Sequence, residues 1–287
     1  MRLRWLRLRR RCPGGLGNRG RGPLTTESRP GTPRPLGAPG PHLRFEHAPA
    51  AAYERIRTFH PRRSPLGPAR VAALSTLWPS LGFSVHDPEG GAPPLLPDGS
   101  LDTVTLFGRS APLVLEIGSG MGEAVTAMAA ADPARDYLAV EAHLPGIASL
   151  LMAVESHGLA NVRVAHGDGV DLVRRLLRPD SLDAVHVFFP DPWPKAKHHK
   201  RRIISPERVA LLRSRLVDGG TLHCATDWAP YAEEMLATLE ADPELVNAHH
   251  GPAPRPAHRP VTKFERRGMD LGHVITDIVV TRVRPDA

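Results

Sequence analysis

From residue 112 onward the sequence alternates between short apolar runs and stretches with helical periodicity, and this alternation limits the possible folds. The apolar runs cover residues 113–117, 137–140, 162–165, 184–189, 221–225 and 274–283. The helical stretches cover residues 123–131, 145–157, 170–177, 206–216 and 231–241. Apolar strands that alternate with helices indicate a parallel sheet buried on both faces. The sequence therefore predicts an α/β protein with an open, doubly wound sheet and helices on both faces.

In such a sheet a ligand binds outside the carboxyl ends of the strands, so the residues that follow each strand are the candidates for chemistry. Gly118 and Gly120 begin a G-x-G-x-G turn after the first strand, and Glu123 stands near the point where a dinucleotide would place its pyrophosphate. Glu141 ends the second strand, where it could accept hydrogen bonds from a ribose, and Asp168 ends the third, near an adenine amino group. The pattern favours S-adenosylmethionine as cofactor; an ordinary turn with solvated acids is the alternative.

The fourth strand leads into a loop that contains an aspartate between prolines. Asp191 and Trp193 alternate with prolines at positions 190, 192 and 194. Proline restricts the backbone and therefore limits where these two side chains can point. We interpret the loop as a preorganised active-site loop, although the prolines could serve only to stiffen a crossover connection.

A strongly basic segment follows Asp191 directly. Its cations are Lys195, Lys197, Lys200, Arg201 and Arg202, and they include three of the four lysines in the chain. The segment predicts a phosphate-binding strip, with a solvated loop as the alternative. His198 and His199 lie within it, but no Cys or carboxylate stands at ligand spacing, so no metal site is predicted.

Two carboxylates near the C-terminus could receive a guanine base. Asp227 follows the fifth strand, and Glu265 lies in a loop before the last. Carboxylates can accept from the N1–H and amino group of guanine, while Asp227 could also cap the following helix. Phe264, in preference to Trp193, could stack on the base.

Charge is distributed unevenly along the chain. Residues 1–70 contain 16 Arg and three Glu, a net charge of +13, whereas the whole chain carries +7. This asymmetry favours a polyanionic partner, with a solvated tail as the alternative. Residues 1–50 hold eight Pro and eight Gly, which predicts a disordered extension before a domain over residues 51–287. No apolar run approaches the roughly 18 residues of a membrane span, and we expect a cytoplasmic protein.

Six segments together identify a family. They are LEIGSGMGE, AVEAH, HGD, FFPDPWPKAKHHKRRI, ATDWAPYAEEM and RPVTKFERRG, in that order. With them, the chain from about Arg55 to its end resembles the bacterial tRNA (guanine-N7-)-methyltransferases. The resemblance implies a Rossmann-like methyltransferase fold with a mostly parallel, seven-stranded sheet. It also implies methylation of guanine 46 in the variable loop of tRNA. We expect a monomer or homodimer and no obligate protein partner.

The resemblance also implies roles for individual residues. The cofactor would contact Glu116, Gly118, Gly120, Glu141, Asp168 and Asp191, the last of which is also the implied catalytic residue. The substrate would contact Lys195, Asp227, Thr262, Lys263, Phe264 and Glu265. The RNA would contact Lys197, His198, His199, Lys200, Arg201 and Arg202. Two alternatives remain: an RNA-binding or assembly protein with a vestigial methyltransferase fold, and a methyltransferase for a non-RNA substrate.

Overall fold

The computed structural model describes residues 57–59 and 65–284. The strands of this part of the chain form a single mixed sheet. They are β1 (Gly82–Ser84), β2 (Leu113–Ile117), β3 (Asp136–Glu141), β4 (Val162–His166), β5 (Leu182–Phe188), β6 (Leu216–Thr226), β7 (Leu245–Val246) and β8 (Thr276–Arg282). Their order in the sheet is β1-β4-β3-β2-β5-β6-β8-β7. In this order, each pair of adjacent strands from β1 as far as β6 is parallel, whereas β8 pairs antiparallel with both β6 and β7. The predicted doubly wound, mostly parallel sheet is confirmed.

Helices connect the strands. They are α1 (Pro68–Leu81), α2 (Thr103–Phe107), α3 (Glu123–Ala131), α4 (Leu144–Ser156), α5 (Gly169–Leu176), α6 (Pro206–Arg213), α7 (Ala229–Glu240) and α8 (Lys263–Asp270), with 3-10 helices at Pro88–Gly90 and Ala196–Arg201. Helix α6 is shorter than predicted because Leu216 already begins β6. None of the helices in the described ranges has the length and apolar character needed to cross a membrane.

Two apolar clusters lie on opposite faces of the sheet. Because side chains alternate along a strand, Leu115 joins one cluster and the preceding Val114 joins the other. The first cluster includes apolar residues of α5, α6 and α7, and the second includes those of α1, α3 and α4. Helices therefore cover both faces, as predicted.

The strand number differs from the prediction, because over the described residues the sheet has eight strands and not seven. Strands β1 and β7 contain only three and two residues, too few to form a recognisable apolar pattern. β1 is a strand because its three residues pair in parallel with β4. It begins at Gly82, where an added Cβ would lie 2.1 Å from the Trp78 ring. The predicted extension over residues 1–50 lies outside the described residues.

Candidate active site

A cleft opens at the edge of the sheet where β2, β3, β4 and β5 end. Because these strands are parallel, their carboxyl ends meet at one edge. The residues that line the cleft include Thr58, Gly118, Gly120, Glu141, Phe188, Phe189 and Asp191. The cleft therefore brings together the glycine turn, the end of β3 and the aspartate loop.

The glycine turn after β2 depends on residues without a side chain. Gly118 and Gly120 have φ angles of 80° and 56°, in the left-handed region that glycine tolerates. An added Cβ on either would have no atom of the described residues within 4 Å, so both face open space in this part of the protein. Across the turn, a Cβ on Gly146 would lie 2.4 Å from the carbonyl oxygen of Gly120. Helix α4 therefore packs directly against the back of the turn.

Glu141 is fixed by backbone hydrogen bonds at the edge of the cleft. One carboxylate oxygen accepts from the N–H of Gly120 at 2.8 Å, and the other accepts from the N–H groups of Ala142 and His143 at 2.7 and 2.8 Å. Burial raises the pKa of Glu141 and the charge of Asp191 adds to the increase, while the three N–H donors oppose it. The carboxylate therefore keeps one orientation, and its charge is coupled to that of Asp191.

Glu116 lies on β2 but outside the lining of the cleft. Its side chain is buried, and its Oε2 has no hydrogen-bond partner among the described residues. Burial, followed by the charge of Glu141, raises the pKa of Glu116 to about 8. Burial therefore favours the protonated form of Glu116, and its implied contact with the cofactor stays a prediction.

Asp168 occupies the start of α5. It caps this helix by accepting from the N–H of Val170 at 2.8 Å, and it also accepts from the hydroxyl and N–H of Thr58 at 3.4 and 3.5 Å. Its neighbours Gly167 and Gly169 line the cleft. Asp168 thus lies beside the cleft, where Thr58 is its partner; the predicted adenine contact is not tested by this geometry.

The aspartate loop is held in an unusual backbone conformation. Phe189 and Trp193 have φ angles of 50° and 43°, and residues with a side chain in this region cost about 1–3 kcal/mol each. The hydrogen bonds that hold the loop include those from Trp193 Nε1 to the carbonyl of Thr58 at 3.2 Å and from Arg202 Nε to the carbonyl of Pro192 at 2.8 Å. Such strain is found where surrounding contacts fix a functional loop.

The basic segment forms the 3-10 helix after this loop. Lys195, Lys197 and Lys200 are exposed, and the guanidinium of Arg201 lies 4.9 Å from the centre of the Trp193 ring. His198 contacts the same ring, with 5.7 Å between ring centres. His199 is half-buried. The three lysines and Arg201 form what we term the cationic strip.

Arg202 differs from the other cations of this segment. Only 3% of it is exposed, and its guanidinium lies 4.7 Å from the centre of the Tyr231 ring. It also forms an ion pair with Glu234. In this structure Arg202 therefore stabilises the loop from the protein interior. The predicted RNA contact requires a guanidinium that faces solvent, and the guanidinium of Arg202 does not.

The block from Thr262 to Glu265 lies beside the cleft at the start of α8. Thr262 caps the helix by accepting from the N–H of Glu265 at 3.2 Å, and the N–H of Lys263 donates to Glu123 at 2.6 Å. Phe264 is 60% exposed and lies edge-on to Phe189, with ring centres 5.4 Å apart. Phe264 is therefore available for stacking next to the cleft.

The two carboxylates predicted to receive guanine have different surroundings. Glu265 is buried, and both of its oxygens accept hydrogen bonds from Arg259, which also donates to Asp277 at 2.6 and 2.8 Å. Asp227 is half-buried and lies 2.9 Å from Nδ1 of His273. Glu265 is thus already occupied by a protein cation, whereas Asp227 remains at the surface.

Comparisons with known proteins show which family this chain belongs to. A family model described as a putative methyltransferase matches residues 110–278. The tRNA (guanine-N(7)-)-methyltransferase of Streptomyces avermitilis is 50% identical over 234 residues, which cover 80% of this chain and 77% of that protein. The protein of the same name from Halorhodospira halophila is 53% identical over 235 residues, which cover 81% and 96%. The chain belongs to the tRNA (guanine-N(7)-)-methyltransferase family.

Solved structures of other methyltransferases also overlap with this family member. The crystal structure of the 16S rRNA methyltransferase KamB overlaps with a TM-score of 0.49 at 18% identity, covering 67% of this chain and 95% of that one. Membership of the tRNA (guanine-N(7)-)-methyltransferase family confirms the predictions of an enzyme of this class and of S-adenosylmethionine as its cofactor. The roles of individual side chains remain predictions.

Some residues around the site of this methyltransferase were not found from the sequence. Arg259 and Asp277 form a buried network with Glu265, and Thr58 joins Asp168 to the aspartate loop. Arg259 lies only a few residues before Thr262, so its place in the R-P-V-T-K-F-E block was a usable indication. No pattern in the sequence indicated the contacts of Thr58, because they join positions far apart in the chain.

Proposed function

We propose that this protein transfers a methyl group from S-adenosylmethionine to N7 of guanine 46 in the variable loop of tRNA. One observation supports the proposal most strongly. Asp191 lines the cleft, and the exposed lysines of the cationic strip begin four residues after it. A site for a small cationic cofactor and a surface for a polyanion therefore adjoin at one edge of the sheet.

The residues of the cleft fit S-adenosylmethionine better than a dinucleotide. Glu141 and Asp191 place negative charge in the cleft, and Glu123 starts the helix that a pyrophosphate would need. Gly118 and Gly120 leave the open side of the turn free of side chains. S-adenosylmethionine supplies an electrophilic methyl group on a sulfonium cation. In our proposal Glu141 accepts hydrogen bonds from the ribose, and Asp191 stabilises positive charge near the methyl group.

The acceptor chemistry explains why no general base is needed. N7 of guanine has an in-plane lone pair and no proton, so it can attack the methyl group directly. Positive charge then moves from sulfur onto the base. Asp191 stabilises this charge without removing a proton, and the protein otherwise contributes alignment.

Access to N7 requires an irregular or opened part of the RNA. N7 lies on the major-groove edge, which is deep and narrow in A-form RNA. Extracting a base from its stack costs a few kcal/mol, and stacking on an aromatic ring contributes about 1–3 kcal/mol. Phe264 offers such a ring beside the cleft. Asp227, rather than Glu265, is the carboxylate that we propose for the guanine N–H groups.

The direct test uses methyl-labelled S-adenosylmethionine and bulk tRNA. Digestion of the RNA is expected to place the label in N7-methylguanosine. Transcripts of one tRNA with G46 or A46 then locate the site, and only the G46 transcript is expected to accept the label. Label in another nucleoside, or in the A46 transcript, would reject the proposed acceptor. Absence of label would favour the vestigial RNA-binding alternative.

The proposal includes a cytoplasmic enzyme that acts as a monomer or homodimer on tRNA alone. Purified protein, without added partners, is expected to be active in this assay. Light scattering of the same sample gives the number of copies. A requirement for a second protein would contradict this part of the proposal.

A further inference from the structure

We propose that His186, His223 and His258 form a binding site for a divalent transition-metal ion of the zinc class. His186 lies on β5, His223 on β6, and His258 in the loop before α8. One ring nitrogen from each lies within 4.8 Å of the others. The sequence predicted no metal site, because these histidines are far apart in the chain and follow no ligand spacing.

Sheet register brings the first two histidines together. His186 and His223 are direct partners across the parallel strands β5 and β6, so both side chains leave the same face of the sheet. The ring of His258 stacks on His186 at 5.6 Å and lies edge-on to His223 at 5.4 Å. The three imidazoles thus form one cluster beside the sheet, in which the ring planes of His186 and His258 are nearly parallel.

The ring nitrogens of the buried histidines His186 and His223 favour a ligand-binding site over an ordinary packed core. Among the described residues, Nδ1 of His186 and Nδ1 of His223 are both buried without a hydrogen-bond partner, and the two residues are only 5% and 1% exposed. An unsatisfied buried polar atom costs about 1–3 kcal/mol. A metal ion would satisfy such a lone pair.

Asp277 prepares His223 as a ligand. Nε2 of His223 lies 2.7 Å from a carboxylate oxygen of Asp277, which also accepts from Arg259. A carboxylate only accepts hydrogen bonds, so in the neutral imidazole of His223 the proton is on Nε2 and Nδ1 keeps its lone pair. A carboxylate that orients the far nitrogen of a histidine is the usual outer partner in zinc sites.

The distances require a small closure. Three atoms within 4.8 Å of one another lie at most about 2.8 Å from their common centre, whereas a Zn–N bond is about 2.1 Å long. An inward movement of at most about 0.7 Å is needed, and the ring of His258, which is exposed and lies in a loop, must also turn out of its stack on His186.

The position of the site indicates a structural role. His186 stacks on Phe188, with ring centres 5.1 Å apart, and Phe188 lines the cleft. His258 is followed by Arg259, which holds both Glu265 and Asp277. A bound ion would join this loop to β5 and β6 behind the wall of the cleft. Methyl transfer to N7 itself requires no metal.

The experiment compares three tag-free proteins after removal of metal with a chelator: the unchanged chain, His258→Ala and His249→Ala. His258 and His249 are both exposed, so neither substitution removes a core side chain. Each protein is titrated with CoCl₂ by visible absorption and then with ZnCl₂, and the thermal midpoint is measured with and without ZnCl₂.

The unchanged chain and His249→Ala are expected to bind one Co²⁺ with the visible bands of a tetrahedral site and to lose them when Zn²⁺ is added. Zn²⁺ is also expected to raise their thermal midpoints. His258→Ala is expected to bind Zn²⁺ at least about tenfold more weakly and to lose the shift in midpoint. Equal Zn²⁺ affinity in His258→Ala and His249→Ala, or Co²⁺ without tetrahedral bands, would overturn the proposal and leave a stacked cluster of neutral histidines.

Discussion

Arg259 donates hydrogen bonds to both carboxylate oxygens of Glu265, at 2.7 and 2.9 Å, and both side chains are almost completely buried. From the sequence we expected Glu265 to contact guanine, but in the structure its carboxylate forms an ion pair with Arg259. Asp277 completes the network on the other side of Arg259. The network therefore fixes the start of α8, and with it the position of Phe264 beside the cleft.

Replacement of Arg259 should destabilise the protein strongly. Arg259→Ala leaves two buried carboxylates without their cation, and removal of one partner of a buried ion pair costs about 3–5 kcal/mol. Urea denaturation measures this loss. Arg266→Ala is the matched control, because Arg266 is an exposed arginine of the neighbouring helix α8, and its effect should stay within about 0.5 kcal/mol. A loss of activity in Arg259→Ala at unchanged stability would instead indicate a direct role in catalysis.

Asp191→Asn should lower turnover at saturating cofactor and tRNA. Loss of one preorganised electrostatic contact to a developing charge typically reduces kcat by about 10²–10³. Single-turnover transfer of labelled methyl groups to tRNA measures the effect, and Asp270→Asn, an exposed aspartate on α8, is the control. Unchanged turnover in Asp191→Asn would show that the charge of Asp191 does not act on the reaction.

Glu116 gives the folding stability a pH dependence. Its pKa is raised from 4.5 to about 8 in the folded protein, so between these values the folded state holds a proton that the unfolded state has released. The stabilisation is complete below about pH 4.5 and is lost as the pH rises through 8. Relative to Glu116→Gln, the unchanged chain should lose at most about 1.4 kcal/mol per pH unit in this range.

The measurement is urea denaturation of both proteins at pH 5, 6.5 and 8. Glu233→Gln, which changes an exposed glutamate on α7, should follow the unchanged chain at all three values. A constant difference between Glu116→Gln and the unchanged chain would mean that Glu116 is ionised in the folded protein throughout this range.

Lys197→Ala should weaken tRNA binding and change its salt dependence. If Lys197 contacts one phosphate, its loss should reduce the slope of log affinity against log salt by about one. Filter binding at several salt concentrations measures this slope. Arg175→Ala is the control: Arg175 is exposed in the last turn of α5, which returns to the opposite edge of the sheet. Equal slopes for the two variants would place the RNA elsewhere.

The sequence predicts those parts of the fold that repeat a local pattern. β2 is predicted residue for residue, because five consecutive apolar or buried positions fill one strand. β1 and β7 are too short to carry such a pattern and depend on pairing with β4 and β8. The parallel order of the strands then follows from the helices that connect them.

The candidate site divides in the same way. Glu141 and Asp191 were predicted from their places at strand ends, and both line the cleft. The pairing of Glu265 with Arg259, and the burial of Arg202 against Tyr231, were not predicted. Each depends on packing between distant segments. A charged residue in a motif therefore indicates where chemistry is concentrated, but its partner must be found in three dimensions.

The left-handed backbone at Phe189 and Trp193 has a consequence for how the enzyme meets its substrate. Because Thr58 and Arg202 already hold this loop, its unfavourable geometry is compensated when the chain folds. An arriving tRNA then finds Asp191 in position and does not have to drive a rearrangement. Mutations that relax the loop should therefore lower the turnover of the enzyme while leaving its affinity for tRNA unchanged.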